Sequence, residues 1–328
     1  MKIRISSFTA VLAFLGALAL GIAAPALAQD KIDRPVKLIV GFPPGGTVDL
    51  IARVVADKMK DTLGQPVIVE NRPGAIGRIA ADAVKAAAPD GTTIMVMPIG
   101  PMAVVPHVYP DITYDPVKDF APVALGATFQ FAIAAGPASG AKNWNEYVAW
   151  AKANPAKASY ATSGAGSLPH FFGVLLGRGI GVEMVHVPYK GSAAYVNDLL
   201  GGQIPAAIDA MADLTELHRA GKIRILASSG AKRSTALPDV PTFTELGVKN
   251  VEAIGWFGFF APARTPKAIV DLLNSSINRA LQAPDVVEKL TKVGIDPATG
   301  TPEEFGRIVA ADYAKWGPVV KASGFKPE

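Results

Sequence analysis

Val36-Lys37-Leu38-Ile39-Val40-Gly41-Phe42, then Pro43-Pro44-Gly45-Gly46-Thr47, then Asp49 to Leu63: this stretch decides the fold class. Val36 to Phe42 is a predominantly apolar run, as expected of a strand covered on both faces. From Asp49 the period changes. Leu50, Ile51, Val54, Val55, Met59 and Leu63 then fall on one face of a helix that stops at Gly64. A buried strand passing through a glycine-rich turn into an amphipathic helix opens a βαβ unit.

The same alternation continues outward. Pro66 to Glu70 and Thr92 to Met97 read as strands, with a helix from Ile79 to Ala88 between them. A second set begins at the strand Phe131 to Ala135. It continues through the helix Trp144 to Ala153, the strand Ala158 to Thr162, the helix Pro169 to Leu176 and the strand Met184 to Val187. Then follow the helix Ser192 to Leu200, the strand Ala206 to Ala210, the helix Asp213 to Ala220 and the strand Ile223 to Ser228. Ile254 to Ala261 is a further apolar stretch. The remainder reads as three amphipathic helices punctuated by Pro284, Pro297 and Pro302, expected to pack back on the first sheet. The class is α/β, with two sheets. Segments near Leu125 to Gln130 and Val251 to Trp256 read as links. Domain 1 is therefore expected to be discontinuous, residues 29–125 and 251–328, and domain 2 to span 126–250.

With 328 residues, half of them hydrophobic, the chain can bury a core without covalent staples. It contains no cysteine, which excludes disulfides and lipid attachment at a cysteine. Residues 1–28 read as a cleaved signal peptide. Lys2 and Arg4 form its positive start, Phe8 to Ala24 its apolar run, and Ala26-Leu27-Ala28 a small-x-small cleavage pattern. The mature chain is expected to be exported. The net charge of +4 falls to +2 once Lys2 and Arg4 are removed, and no basic run is present, so nucleic acid is not an expected partner.

Four glycine-, serine- or threonine-rich turns lead from a strand into a helix: Phe42 to Thr47, Asn71 to Gly77, Thr162 to Ser167, and Tyr189-Lys190-Gly191-Ser192. Such turns leave backbone N–H groups at a helix N-terminus, where the dipole favours an anion and glycine permits close approach. In open α/β sheets these loops lie at the carboxyl ends of the strands, where ligands bind. Two fall in each half, so a cleft between the halves would be lined from both sides by amides suited to a carboxylate. Each turn also serves as an ordinary helix cap, and neither role is excluded by sequence. No phosphate-loop or dinucleotide pattern occurs, which argues against a nucleotide.

Catalytic patterns are weak. Ser139-Gly140-Ala141-Lys142 and Ser229-Gly230-Ala231-Lys232 match S-x-x-K without its companion motifs. His107, His170, His186 and His218 are too widely spaced for a metal motif, and no cofactor is expected. His170 falls in the first turn of its helix, either as a structural residue or as a ligand contact. Asp49 either complements the helix dipole or orders ligand and water. Asp209 ends a buried strand, where a carboxylate must be paired or face a cleft. An exported hydrolase using Ser163 or Ser167 is the competing reading.

Several segments together resemble the Bug-type substrate-binding proteins of tripartite tricarboxylate transporters. They are Lys37 to Arg53, Val69 to Ala75, Tyr114 to Phe120, Ser163 to His170, His186 to Gly191 and Ala236 to Thr242, in the family's order across the mature chain. The resemblance implies a two-domain, type II-like periplasmic-binding-protein fold, expected as a monomer, that closes on a small carboxylate and delivers it to a membrane permease. It is not an enzyme on this reading, and a ligand-presenting sensor would use the same residues. Carried over by motif, Phe42, Gly45, Gly46, Thr47 and Asp49 bind from the first domain, and Ser163, Gly164, Ser167, His170 and Asp209 from the second. Gly77, Ile99, Gly100 and Tyr189 join them as loop residues at the same strand ends. The chain departs from the family in having Pro98-Ile99-Gly100 and Val105-Pro106 after its third strand, and Ala75 to Ala80 where Gly-Gly-Asn-Ile-Gly is common. These changes remove polar surface and point to a mono- or dicarboxylate with an apolar or aromatic body, which would meet Ile76, Ile99, Met102 and Trp256.

Overall fold

Three parallel strands open the structure, a computed structural model that describes residues 31–189, 192–249, 251 and 253–327. The expected signal peptide, Lys190 and Gly191 lie outside the described residues. The strands are β1 (Val36–Val40), β2 (Val67–Asn71) and β3 (Thr93–Pro98), with β1 in the middle. Helix α1 (Thr47–Leu63) follows β1, and α2 (Arg78–Lys85) follows β2. Val36, Leu38, Ile39 and Val40 are fully buried, as the apolar run requires, and each such side chain contributes about 1.5–3 kcal/mol. The buried stripe of α1 is Val48, Ile51, Ala52, Val55, Ala56, Met59 and Leu63, with Leu50 and Val54 half-buried at its margin. Gly64 ends the helix in the left-handed region, at φ 64°, and returns its N–H to Lys60 O.

A helical turn at Gly100–Val104 and the short α3 (Val105–Val108) then lead to β4 (Phe120–Ala135), a strand of 16 residues. The second half adds α4 (Trp144–Ala153), β5 (Ser159–Thr162), α5 (Leu168–Ile180), β6 (Val185–Pro188), α6 (Ser192–Leu200), β7 (Ala206–Ala210), α7 (Met211–Arg219) and β8 (Arg224–Ser228). β9 (Ile254–Pro262) returns to the first sheet. α8 (Lys267–Leu281), α9 (Pro284–Lys292), the two-residue β10 (Asp296–Pro297) and α10 (Pro302–Ser323) complete the chain. The three closing helices do pack back on the first sheet, α8 and α10 against β4 and α8 also against α1. Contrary to expectation they enclose a strand, because β10 pairs with Thr128 and Ala127 of β4.

The sheet runs β2-β1-β3-β9-β4-β7-β5-β6, with β8 and β10 also paired to β4. β4 is the shared element. Phe120 to Gln130 pair with β9, whereas Phe131 to Ala135 pair with β7. The pairing directions decide where the loops go. β3 and β4 both run antiparallel to β9, so β1, β2 and β3 point the same way as β4 and end towards the second sheet. β7 runs antiparallel to β4, with Ala210 opposite Phe131, and β5 is parallel to β7. The carboxyl ends of β5 and β7 therefore point back towards the first sheet. Loops from the two halves face one another across the point where β4 changes partners, as a two-domain α/β binding fold requires.

Candidate functional site

On the first side the loops are drawn together by small residues. A Cβ on Gly77 would stand 2.9 Å from Met97 Cε, 3.3 Å from Pro101 and 3.5 Å from the Phe42 ring, and its φ of 85° also excludes most side chains. Phe42, Gly77 and the start of the Gly100–Val104 turn thus meet in one cluster. Gly45, at φ 88°, and Gly46 are exposed, and a Cβ on either would have open space around it. No side chain caps α1 at Gly46, and the helix ladder begins with Leu50 N–H to Gly46 O. The N–H groups of Thr47, Val48 and Asp49 precede that ladder, at the positive end of the helix dipole.

Asp49 takes the structural of its two expected roles. It is 3% exposed, and one carboxylate oxygen accepts from Gly45 N–H at 2.9 Å and Arg53 Nε at 2.8 Å. The other accepts from Asn71 Nδ2 at 2.9 Å, and the same amide donates to Phe42 O at 3.1 Å. The Arg53 bond, joined by those from Gly45 and Asn71, holds its pKa down at about 2 against the opposing effect of burial. Asp49 therefore locks the first loop to the second.

The second loop is strained. Gly74 has φ 137°, Ala75 φ 47° and Ile76 φ 55°, so a β-branched residue sits in the left-handed region at a cost on the order of 1–3 kcal/mol. Ile76 is 38% exposed and provides open apolar surface beside the glycine turns. Ile99 corrects the sequence reading: its side chain is 2% exposed, because it opens the Gly100–Val104 turn whose apolar residues pack under α10. Met102 and Trp256 are buried too, Trp256 with its Nε1 donating to Asp312 at 2.8 Å. Of the apolar candidates Ile76 alone is exposed, Phe42 is half-buried, and Gly100 has open space where a Cβ would stand.

On the second side Asp209 meets the Ser163 loop. Ser163 N–H donates to one carboxylate oxygen at 3.0 Å, and Ser163 Oγ (3.2 Å) and Ala210 N–H (3.0 Å) donate to the other. Burial, then nearby Asp213, outweigh these bonds and raise the Asp209 pKa to about 7. Ser167 caps α5, accepting from His170 N–H at 3.4 Å and donating to Gly164 O at 2.6 Å. Gly166, at φ 68°, lies against Val108 and Phe325. His170 Nδ1 accepts from Gly166 N–H at 3.2 Å, so this nitrogen is committed to the loop backbone. Tyr189 points its hydroxyl at Asp198, 2.6 Å away on α6, and burial together with that carboxylate pushes its pKa up to about 12. The Ser163 hydroxyl is thus committed to the Asp209 carboxylate and the Ser167 hydroxyl to Gly164 O, and among the described residues no imidazole nitrogen is bonded to either hydroxyl. Among the described residues no cluster of three or more His, Cys, Asp or Glu is placed to hold a metal ion.

Two further residues were not among the site candidates read from sequence. His186 stacks on His170, with ring centroids 3.8 Å apart and an interplanar angle of 12°. Ser229 sits where the chain crosses between the sheets. Its Oγ accepts from Phe131 N–H at 2.9 Å and donates to Ala253 O, and its N–H donates to Phe131 O at 2.9 Å.

A pair of amide-rich loops facing one another across a shared strand defines an α/β solute-binding protein. The family model described as "Tripartite tricarboxylate transporter family receptor" matches residues 51–325, and the chain belongs to that family of periplasmic solute-binding proteins. It is 38% identical over 307 residues to the protein BugT of Bordetella pertussis, covering 93% of this chain and 94% of that one. Among solved structures, an R. palustris protein with adipate is 35% identical, with a TM-score of 0.79 over 90% of this chain and 99% of that one. MatC from Rhodopseudomonas palustris with bound malate is 32% identical, with a TM-score of 0.75 over 88% of this chain and 99% of that one. Among the described residues no helix is long and apolar enough to cross a membrane.

Proposed function

We propose that this protein captures a small mono- or dicarboxylate with an apolar body and hands it to the membrane permease subunits of a tripartite tricarboxylate-type transporter. In this reading it acts as a periplasmic monomer after removal of residues 1–28. Its lobes comprise residues 29–125 with 251–328, and residues 126–250. The observation that carries the reading is the uncapped N-terminus of α1, which follows two exposed glycines at the strand end directed towards the second half of the molecule. One carboxylate binds there, against Gly46, Thr47 and Val48 amides, and the second lobe closes over the rest of the ligand. The adipate and malate complexes of the two R. palustris relatives support a carboxylate ligand.

Specificity follows from what surrounds the far end. Apolar ligand surface gains about 25 cal/mol per Å² when covered, so 80 Å² placed against Ile76 and Phe42 is worth about 2 kcal/mol. Citrate would bring further carboxylates to a wall without partners for them. Competition between citrate and an aromatic carboxylate in one calorimetric assay tests this. The aromatic acid is expected to bind at least tenfold more tightly, and a clear preference for citrate would overturn the specificity argument. Failure of every carboxylate to bind would overturn the function itself.

A further inference from the structure

The Ser163–Ser167 loop is held on two sides. Asp209 holds Ser163, while Gly166 N–H is held by His170 and Gly164 by the hydroxyls of Thr162 and Ser167, the first of which is in turn bonded to His186. His170 Nδ1 accepts from Gly166 N–H at 3.2 Å. His186 Nε2 lies 2.7 Å from Thr162 Oγ1, which accepts from Gly164 N–H at 3.3 Å and donates towards Gly164 O at 3.1 Å. The rings are themselves fixed. Tyr160 packs on His186 at 5.2 Å and donates its hydroxyl to His170 O at 2.8 Å. Gly173 makes room for Tyr160, since a Cβ there would stand 2.2 Å from the phenol ring. Phe325 closes the stack edge-on to His170, at 5.0 Å and 84°.

We propose that His170 and His186 act together as positioning residues for the Ser163–Ser167 loop, their stacked rings holding Gly166 directly and Gly164 through Thr162 and so fixing the shape in which the loop meets the cleft. The proposal deepens the carboxylate-binding reading, on which its affinity measurement rests. Neither ring needs to touch the ligand. Because His170 Nδ1 accepts a hydrogen bond, the single proton of its neutral ring lies on Nε2. A second proton would set N–H against the N–H of Gly166 and a cation against the stacked ring of His186. Protonation therefore lets go of the loop.

Burial holds the pKa of His170 down at about 4, and burial with the neighbouring His170 holds that of His186 at about 3. The charged groups around the pair do not reverse this. Arg178, whose guanidinium donates to Ala322 O, and Glu183 line a cavity of about 500 Å³ that both rings border. Lys326 follows Phe325. Asp209 and Asp213 approach the loop from β7 and α7, and His107 on α3 is bonded to Tyr313 O. Among the described residues none of these forms an ion pair with either ring.

The test reads the loop directly and uses adipate as the probe ligand. Protection of the Gly164 and Gly166 amides against hydrogen exchange is measured without ligand, and adipate affinity by calorimetry, from pH 7.5 to pH 3, a unit below the His170 pKa. His170→Asn places an acceptor oxygen where Nδ1 was but cannot take up the proton, whereas His170→Leu removes the acceptor. At pH 7, His170→Leu is expected to lower Gly166 protection and adipate affinity at least tenfold, and His170→Asn to keep both within threefold. Below pH 5 the wild type should lose both relative to His170→Asn, which shares the ligand's own titration. If His170→Leu does not fold, His186→Leu carries the same tenfold expectation on Gly164. Unchanged protection in the leucine variant, or one pH course for wild type and His170→Asn, overturns the proposal. Absence of adipate binding by the wild type counts against the ligand reading alone, because the exchange measurement still decides the positioning role.

Discussion

Replacing Asp49 by Asn should separate the two roles a first-turn acid can play. The carboxylate accepts from Gly45 N–H, Arg53 Nε and Asn71 Nδ2, and an amide presents an NH₂ group to at least one of those donors. Its folded pKa of about 2 against an ordinary 3.8 corresponds to roughly 2.4 kcal/mol at 1.36 kcal/mol per unit. The Arg53 side chain is 54% exposed, however, and solvent screening reduces the net loss to about 1–2 kcal/mol. The sign follows from a depressed carboxylate pKa. The contribution is complete above pH 3.8 and is lost as the pH falls towards 2, because the unfolded chain takes up the proton first. Urea denaturation of wild type and variant should therefore show a stability gap at pH 7 that narrows between pH 4.5 and pH 2.5. Adipate affinity should fall as well, since Gly45 and Asn71 lose their common anchor. A gap below about 0.3 kcal/mol at pH 7, or one that does not change with pH, would refute the assignment of Asp49 as the lock between the loops.

Gly46→Val should leave the urea midpoint unchanged while lowering carboxylate affinity at least tenfold. The backbone at φ −82° accepts a side chain, and its nearest neighbour would be Pro43 O at 3.9 Å, so retained affinity on calorimetry would remove this loop from the site. Ile76→Asn should raise stability by about 1 kcal/mol, since Asn tolerates the left-handed region, while weakening binding of an aromatic acid more than of adipate. Equal effects on the two acids would show that Ile76 does not meet the ligand body. Ser229→Ala should cost about 1–3 kcal/mol by leaving Phe131 N–H and Ala253 O unpaired in a buried setting. A loss under 0.5 kcal/mol by urea denaturation would mean that water or a backbone shift replaces the hydroxyl.

Local periodicity reveals an element when one face alone is buried or the whole run is, and α4 (Trp144–Ala153), α6 (Ser192–Leu200) and β7 (Ala206–Ala210) have the bounds read from sequence. β4 shows how the signal fails. Its register against β9 shifts between Pro122 and Ala124 and again between Leu125 and Ala127, so the alternation of period two is broken. Leu125 to Gln130 then reads as a link, although it is paired strand. α5 runs past the expected Leu176 to Ile180 because Gly177 and Gly179 serve close packing, against Val182 O and against Val248 and Val251, and do not end the helix. Around the candidate site, the glycine turns and both acids were named from the sequence, and the structure gives each acid a loop N–H to hold. The partnership of His170 with His186 was not, since one lies on a helix and the other on a strand 16 residues later. Ile99 and Met102 were legible as apolar but not as buried, because only the packing of α10 covers them.

The two acids of the site solve one electrostatic problem in two ways. Each accepts a backbone N–H from a glycine- or serine-rich turn, Asp49 from Gly45 and Asp209 from Ser163, and so fixes the shape of that turn. A full negative charge beside each loop would oppose the carboxylate that the amides attract. Asp49 is ionised, but Arg53 at 2.8 Å balances it. Asp209 has no salt-bridge partner among the described residues, and burial with Asp213 nearby lifts its pKa to about 7, so near neutral pH a proton does what Arg53 does in the other lobe. Loop geometry is thereby fixed by carboxyl groups on both sides without a net repulsion towards the ligand. It follows that the second lobe should hold a ligand anion better with Asp209 protonated than with it ionised. Adipate affinity of the wild type should accordingly weaken between pH 6 and pH 8. Asp209→Asn, neutral throughout, should remove that slope, and a slope that persists in the variant would place the titrating group elsewhere.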